Sequence, residues 1–378
     1  MTEKLLSAPS GEWILSRFPQ RQKELLRAWD AADEYVLQHL YERPPAPGRL
    51  LIANDSFGAL CVALNQLAPV NWSDSWLGHE GLRANLATNQ LSKAQVMSLP
   101  STTTPDFCPQ LTIIKVPKTL ALLEDQLCRL KPLLAADSRV ILAGMAKAMT
   151  SAVWQMLERI IGPTQTGPAR KKAQLIEVTV DNNLPRADNP YPTRWPHVGT
   201  PFNISNHANV FSRQKLDIGT RFMLEHLTIK PHQQDIIDLG CGNGILGLTA
   251  GASNTEANVH FVDESYMAIE SARDNFTQIN QSLERGRFYL GDGLSGFADN
   301  SADLILCNPP FHQSHAVGDT VALAMFQDAA RVLRKDGELW VVGNRHLGYH
   351  IKLKRWFSDL ELLASNSKFV LFRARQNR

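Results

Sequence analysis

The sequence predicts an α/β protein made of two tandem units, each a mainly parallel sheet with helices packed on both faces. Three observations predict it. From Gln233 onward, short apolar runs alternate with stretches of helical apolar spacing. A glycine-rich turn follows the first of these runs, and the same order of segments recurs in the N-terminal half. Alternation of this kind calls for parallel pairing, because each crossover helix returns the chain to the same end of the sheet.

In chain order, "DIIDLG" (235–240), "NVHFVDES" (258–265), "RFYLGD" (287–292), "ADLILCN" (302–308) and "GELWVVGN" (337–344) read as buried strands that end in turn or acidic residues. Between them "ILGLTAGAS", "YMAIESARDNFTQIN" and "TVALAMFQDAARVLR" carry apolar residues at helical spacing. Ligands of such sheets bind in the crevice at the carboxyl ends of the strands, where the acidic residues and the Asn-Pro-Pro turn fall.

Composition narrows the classes. The chain has 378 residues, enough for two cores, and its 39 Lys+Arg against 37 Asp+Glu exclude a disordered polyelectrolyte. Residues 331–378 hold 11 Lys+Arg and 4 Asp+Glu, a surplus of 7 that suits a phosphate backbone or a solvated face equally. Cysteines 61, 108, 128, 241 and 307 are scattered, without C-x-x-C or paired histidines, so reduced thiols and no metal site are expected. The start "MTEKLLSAPSGEW" lacks a basic segment before an apolar one, and no apolar run nears the roughly 20 residues of a membrane span. A cytoplasmic protein without a membrane partner is expected.

The turn "DLGCGNG" spaces Gly240, Gly242 and Gly244 as G-x-G-x-G, with Asp238 at the strand end. A carboxylate there repels a pyrophosphate and suits an ammonium group. Asp263, closing "HFVD", is placed to accept both hydroxyls of a ribose, and Asp292 to accept from an adenine amine. A cationic amino-acid end, a ribose and an adenine together describe S-adenosylmethionine. Over residues 195–378 the pattern resembles the class I (Rossmann-like) methyltransferases. That resemblance implies a seven-stranded sheet whose last two strands, "LELLASN" and "KFVLFRAR", form a hairpin. It also implies that residues 209–227 lie over the methionine end of the cofactor, a role carried to Phe211, Ser212 and Gly219.

"CNPPFHQ" (307–313) raises a separate question, since two prolines cannot continue a central strand. In the family, Asn-Pro-Pro-aromatic signals methylation of a planar exocyclic nitrogen. Such an amine is a poor nucleophile because its lone pair is delocalised. The Asn308 side-chain oxygen and the Pro309 carbonyl are expected to accept its hydrogens and stabilise the charge that develops. Pro310 stiffens the turn and Phe311 offers a stacking face. His312 and His315 are not assigned as bases.

The N-terminal half repeats this plan without the chemistry. "SWLGHEGLRANL" (75–86) lies under "SYMAIESARDNF" (265–276), and "LLIANDSFGALCVAL" (50–64) under "IIDLGCGNGILGLTA" (236–250). "LTIIKVPK" (111–118) follows "DLILCNPP" (303–310), and "ADSRVILAG" (136–144) follows "KDGELWVVG" (335–343). Asp238 is replaced by Ile52, Gly240 and Gly242 by Asn54 and Ser56, Asp263 by Ser73, and Asn308 by Val116. The expected division is a degenerate methyltransferase-like domain at 1–162 that grips substrate, a linker with an added strand at 163–205, and a catalytic domain at 206–378.

A silent first copy followed by "NPPF" resembles the tandem-domain ribosomal RNA guanine-N2 methyltransferases. "AWDAADEYVLQ", "NPPFHQSHAV", "GNRHLGYHIKLKRWF" and "NSKFVLFRA" place the chain nearer the large-subunit branch. The implied partner is 23S ribosomal RNA, free or in an assembling subunit. Its target base has to leave the helix to be reached. Small-subunit RNA, DNA adenine, a protein glutamine, and a non-catalytic RNA-binding role in assembly are the alternatives.

Overall fold

The computed structural model describes residues 3–20, 24–196, 202–280, 283–310 and 315–375, with the side chains of 280 and 315–319 excepted. The chain divides into two compact units, Met1–Tyr191 and Pro192–Arg378. Each holds a seven-stranded sheet. Numbered by position in the chain, the strands of both sheets lie in the order 3-2-1-4-5-7-6.

In the second unit those strands are Asp235–Leu239, Asn258–Asp263, Gly286–Leu290, Ala302–Cys307, Leu333–Asn344, Asp359–Ser365 and Phe369–Arg375. The first five are mutually parallel, and the last pairs antiparallel with its two neighbours. The central strands are apolar on both faces because helices cover both. Met325, Phe326 and Ala329 of the helix His315–Val332 share a core with Ile305 and Cys307. Leu246 and Ala250 of the helix Ile245–Ser253 share one with Ile236 and Leu304 on the opposite face.

The first sheet runs through Leu50–Ala53, Val70–Ser73, Met97–Pro100, Leu111–Lys115, Arg139–Met145, Thr164–Thr166 and Ala173–Val178. Its last two strands come from the segment expected to be a linker. The edge strand Thr164–Thr166 is short and polar, as a solvated edge should be, and so reads as loop in the sequence. The remainder of that segment opens the second unit with a hairpin, Thr193–Pro196 against Asn203–Asn206. The first unit likewise opens with one, Leu5–Ala8 against Gly11–Ile14.

A buried asparagine anchors each hairpin region in the same way. Asn275 accepts from Ser205 N and donates to Ser205 O and Asn243 O. Asn85, its counterpart in the repeat, accepts from Ser16 N and donates to Ser16 O and Phe57 O. Gly58 and Gly244 both cap the helix that follows the first strand of their sheet, with φ of 80° and 82°. A Cβ on Gly244 would also lie 2.9 Å from that of Ala272, so glycine is required twice over.

The strand register corrects one pairing of the repeat. Ile52 pairs with Ile113 in one sheet as Asp238 pairs with Leu306 in the other. Counting on from these partners, Lys115 rather than Val116 stands where Asn308 does. In both sheets the strand order reverses between strands 1 and 4, which opens a crevice at their carboxyl ends.

Candidate functional site

In the second unit this crevice collects the turn after Leu239, the turn after Asp263 and the end of the strand Ala302–Cys307. Leu239 and Cys307 are register partners, so Gly240 and Asn308 leave the sheet side by side. Gly240, Gly242 and Gly244 all have positive φ. Open space surrounds Gly242, with nothing within 4 Å of where a Cβ would stand. Its N–H donates to Asp263 Oδ2 at 3.0 Å, and Ser265 N donates to Oδ1 at 3.0 Å. One carboxylate therefore ties the glycine turn to the end of the second strand. A carboxylate oxygen can accept more than one hydrogen bond, which is the capacity a ligand hydroxyl needs.

Asp238 is buried, and its Oδ2 accepts from Gly247 N at 2.8 Å. Burial raises its pKa to about 8, with the Gly247 N–H opposing and the Asp263 charge adding to the rise. Burial also raises the thiols of Cys241 and Cys307, which remain protonated and so do not compete as thiolate nucleophiles for an electrophilic methyl group. Asp292 is half-buried in the turn after Leu290, where its carbonyl accepts from Ser295 N.

Asn308 is held from one side. Its Nδ2 donates to Asp217 Oδ2 at 3.1 Å and to Thr220 Oγ1 at 2.9 Å. Its Oδ1 is buried and has no hydrogen-bond partner among the described residues. Pro309 beside it is buried and Pro310 is exposed. Phe311 and His312 lie outside the described residues, as does the side chain of His315.

The segment expected over the methionine end is divided in the structure. Phe211 is 53 % exposed, while Ser212 donates from Oγ to Lys215 O at 2.8 Å within its own loop. Gly219 is buried in the helix Ile218–Leu224. A Cβ there would lie 3.1 Å from Asp217 Oδ2 and 3.2 Å from the Phe369 ring. Its smallness therefore seats the helix on the sheet. The sequence reading passed over Asp217 and Thr220 as site residues. Their signal was present as an N-cap aspartate followed three positions on by a threonine.

The corresponding crevice of the first unit is filled. Asn54, with φ of 64°, replaces Gly240; it donates to Lys115 O and to Gln126 Oε1 and accepts from Gln126 Nε2. Lys115 Nζ donates to Asp30 Oδ1 at 2.9 Å and to Asp33. Asp55 Oδ2 accepts from Cys61 N at 2.9 Å, the helix-turn bond that Asp238 makes with Gly247. The carboxylate has moved from the strand into the loop, and the cradle has closed over it.

The donor set fits S-adenosylmethionine: an open glycine turn, carboxylates at the ends of strands one and two and after strand three, and an amide oxygen without a hydrogen-bond partner among the described residues. No group of metal-ligating side chains occurs among the described residues.

Comparison with known proteins covers both units. A family model described as RLMG N-terminal domain matches residues 3–182, and one described as Methyltransferase small domain matches residues 201–373. A protein of Aeromonas salmonicida named ribosomal RNA large subunit methyltransferase G is 46 % identical over 374 residues, 98 % of this chain and 99 % of its own. One of Erwinia tasmaniensis with the same name is 47 % identical over 365 residues, 95 % and 96 % of the two chains. Among solved structures, a 16S rRNA N2 methyltransferase of T. thermophilus, in complex with AdoMet and guanosine, superposes with a TM-score of 0.76. It is 17 % identical and covers 99 % of this chain and 97 % of its own, a likeness of fold. With identity of the former order running through both units and almost the full length of each relative, this chain belongs to the ribosomal RNA large subunit methyltransferase G family.

Proposed function

We propose that the second unit transfers a methyl group from S-adenosylmethionine to the exocyclic N2 of a guanine in 23S ribosomal RNA. The observation that carries this reading is the buried Asn308 Oδ1, without a partner among the described residues, beside the open Gly242 turn. The name shared by the curated relatives supports the large-subunit target. Among the described residues, no helix is long and apolar enough to cross a membrane.

When bound, the cofactor supplies an electrophilic methyl group on a sulfonium. Asp263 takes the ribose hydroxyls and Asp292 the adenine amine. Gly240, Gly242 and Gly244 let the backbone approach the ligand, and Phe211 covers its methionine end. Asn308 Oδ1 and the Pro309 carbonyl each accept one hydrogen of the substrate amine. That holds the nitrogen lone pair out of the ring plane and stabilises the positive charge as the bond forms. The two prolines keep these acceptors fixed, and Phe311 stacks on the base. Once methylated, the nitrogen is acidic and loses its proton to water. The first unit, its crevice filled, contributes RNA binding and no second cofactor site.

Ribosomal RNA from cells lacking the protein is the test substrate. Labelled methyl is expected in 23S RNA at a guanine N2 and absent from 16S RNA, duplex DNA and translation factors. Transfer to one of those others would remove the assignment. Asp263→Ala is expected to weaken cofactor binding at least about tenfold, the loss of one charge-assisted pair. Ser73→Ala at the matching position of the first unit leaves affinity unchanged. Equal effects in a binding titration would show that the cofactor site is misplaced.

Asp238 gives the binding a pH dependence. Its folded pKa of about 8 lies above that of an unfolded aspartate, so the stability it contributes is present at low pH and is lost as pH rises towards 8. A bound cation favours the ionised form, and binding then releases a proton. Affinity is expected to climb from about pH 6 to about pH 8, by at most about tenfold per unit. Calorimetry in buffers of different ionisation enthalpy reads the proton directly, and a flat profile with none released contradicts the assignment.

A further inference from the structure

We propose that Asp217 and Thr220 are positioning residues that turn the Asn308 amide so that its oxygen, and not its nitrogen, faces the substrate amine. The inference rests on the reading of Asn308 given above.

An asparagine side chain rotated by half a turn presents NH2 in place of C=O. In that state Asn308 would meet the substrate amine donor to donor, and no charge would be stabilised. The choice between the two states has to be made by neighbours. An ionised carboxylate only accepts, and a threonine hydroxyl can accept. Asp217 Oδ2 and Thr220 Oγ1 lie 3.1 Å and 2.9 Å from Nδ2, which occupies both hydrogens of the amide and leaves Oδ1 unpartnered among the described residues. The acceptors are themselves fixed. Asp217 caps the helix Ile218–Leu224 by accepting from Thr220 N at 2.9 Å, Thr220 is buried, and the bare Gly219 leaves room for the carboxylate.

The first unit gives an independent view of the same contact. Asp30 caps the helix Ala31–Glu42, and Asp33 stands three residues on, as Thr220 does from Asp217. Lys115, at the position of Asn308, donates to both. The fold thus brings the end of the fourth strand to a helix N-terminus in either copy. With a lysine every hydrogen-bonding capacity of the end group is a donor. With an asparagine and a neutral threonine, the same two-point grip leaves an acceptor oxygen over.

The test uses the full-length protein, S-adenosylmethionine and ribosomal RNA from cells lacking the protein. Single-turnover methyl transfer is followed for Thr220→Val and Asp217→Ala, alone and combined with Asn308→Ala. Each single variant is expected to slow transfer about tenfold, the loss of one buried hydrogen bond to a charge-bearing site. Cofactor affinity stays within about twofold, and Thr220→Ser restores the rate. In the Asn308→Ala background neither substitution slows transfer further, because both act through the missing amide. Wild-type rates for Thr220→Val and Asp217→Ala beside a slow Asn308→Ala overturn this inference alone. Losses that multiply in the double variants assign the pair a structural role and also overturn it. An undiminished Asn308→Ala removes the reading of the site and the inference together.

Discussion

Asn308→Ala lowers the methyl-transfer rate about 10²- to 10³-fold, the cost of deleting one preorganised group aimed at developing charge. Among the described residues no side-chain hydrogen bond joins Asn308 to the glycine turn; its contacts run to Asp217 and Thr220. Cofactor affinity should therefore stay within about threefold, a change below 1 kcal/mol. The Asp217 cap survives through its bond from Thr220 N, so the fold loses only the two amide contacts, each worth about 1 kcal/mol. Single-turnover rates separate this from a binding defect. A variant within about fivefold of wild type would mean that the amine is activated elsewhere.

Lys115→Met in the first unit destabilises the protein by about 3–5 kcal/mol, because it strands the buried Asp33, which has no other cation among the described residues. Burial raises Asp33 to about 6 even with Lys115 beside it, whereas the more exposed Asp30 is held below its usual value by the same lysine. The two acids differ because one is enclosed and the other meets water. Burial alone would lower Lys115, yet Asp33 and Asp30 hold it above the ordinary lysine range. Without the cation Asp33 rises further. A raised carboxyl favours folding at low pH and loses that contribution as pH climbs through its folded value. The deficit of the variant is therefore smallest near pH 4 and grows towards about pH 8. Urea unfolding at several pH values measures it, and an equal deficit at all of them would mean that packing, not charge, holds this cluster.

Much of the architecture was legible because it rests on local pattern. The runs Asp235–Leu239, Ala302–Cys307 and Leu333–Asn344 read as strands since both faces are buried, while the edge strand Gly286–Leu290 keeps exposed residues; the helices between them keep one apolar side. The turn glycines and the acids after the strands could be ranked by chemistry alone. The edge strand Thr164–Thr166 could not be read, because its residues face solvent and carry no periodic signal. The partners of Asn308 were hidden for a different reason. Asp217 and Thr220 meet it across 91 and 88 residues of chain, a contact that only the closed sheet creates. The one-residue offset of Lys115 was equally invisible, as strand pairing fixes it and similarity of letters does not.

The lysine clasp in the first unit also acts as a ratchet on its history. Changing Asn54 back to glycine, or Ser73 to aspartate, would leave Lys115 lying across the site. Removing Lys115 first would leave the enclosed Asp33 carboxyl without its cation. Loss of the lysine thus crosses a folding deficit, so the step that would clear the first unit's crevice is opposed by thermodynamics.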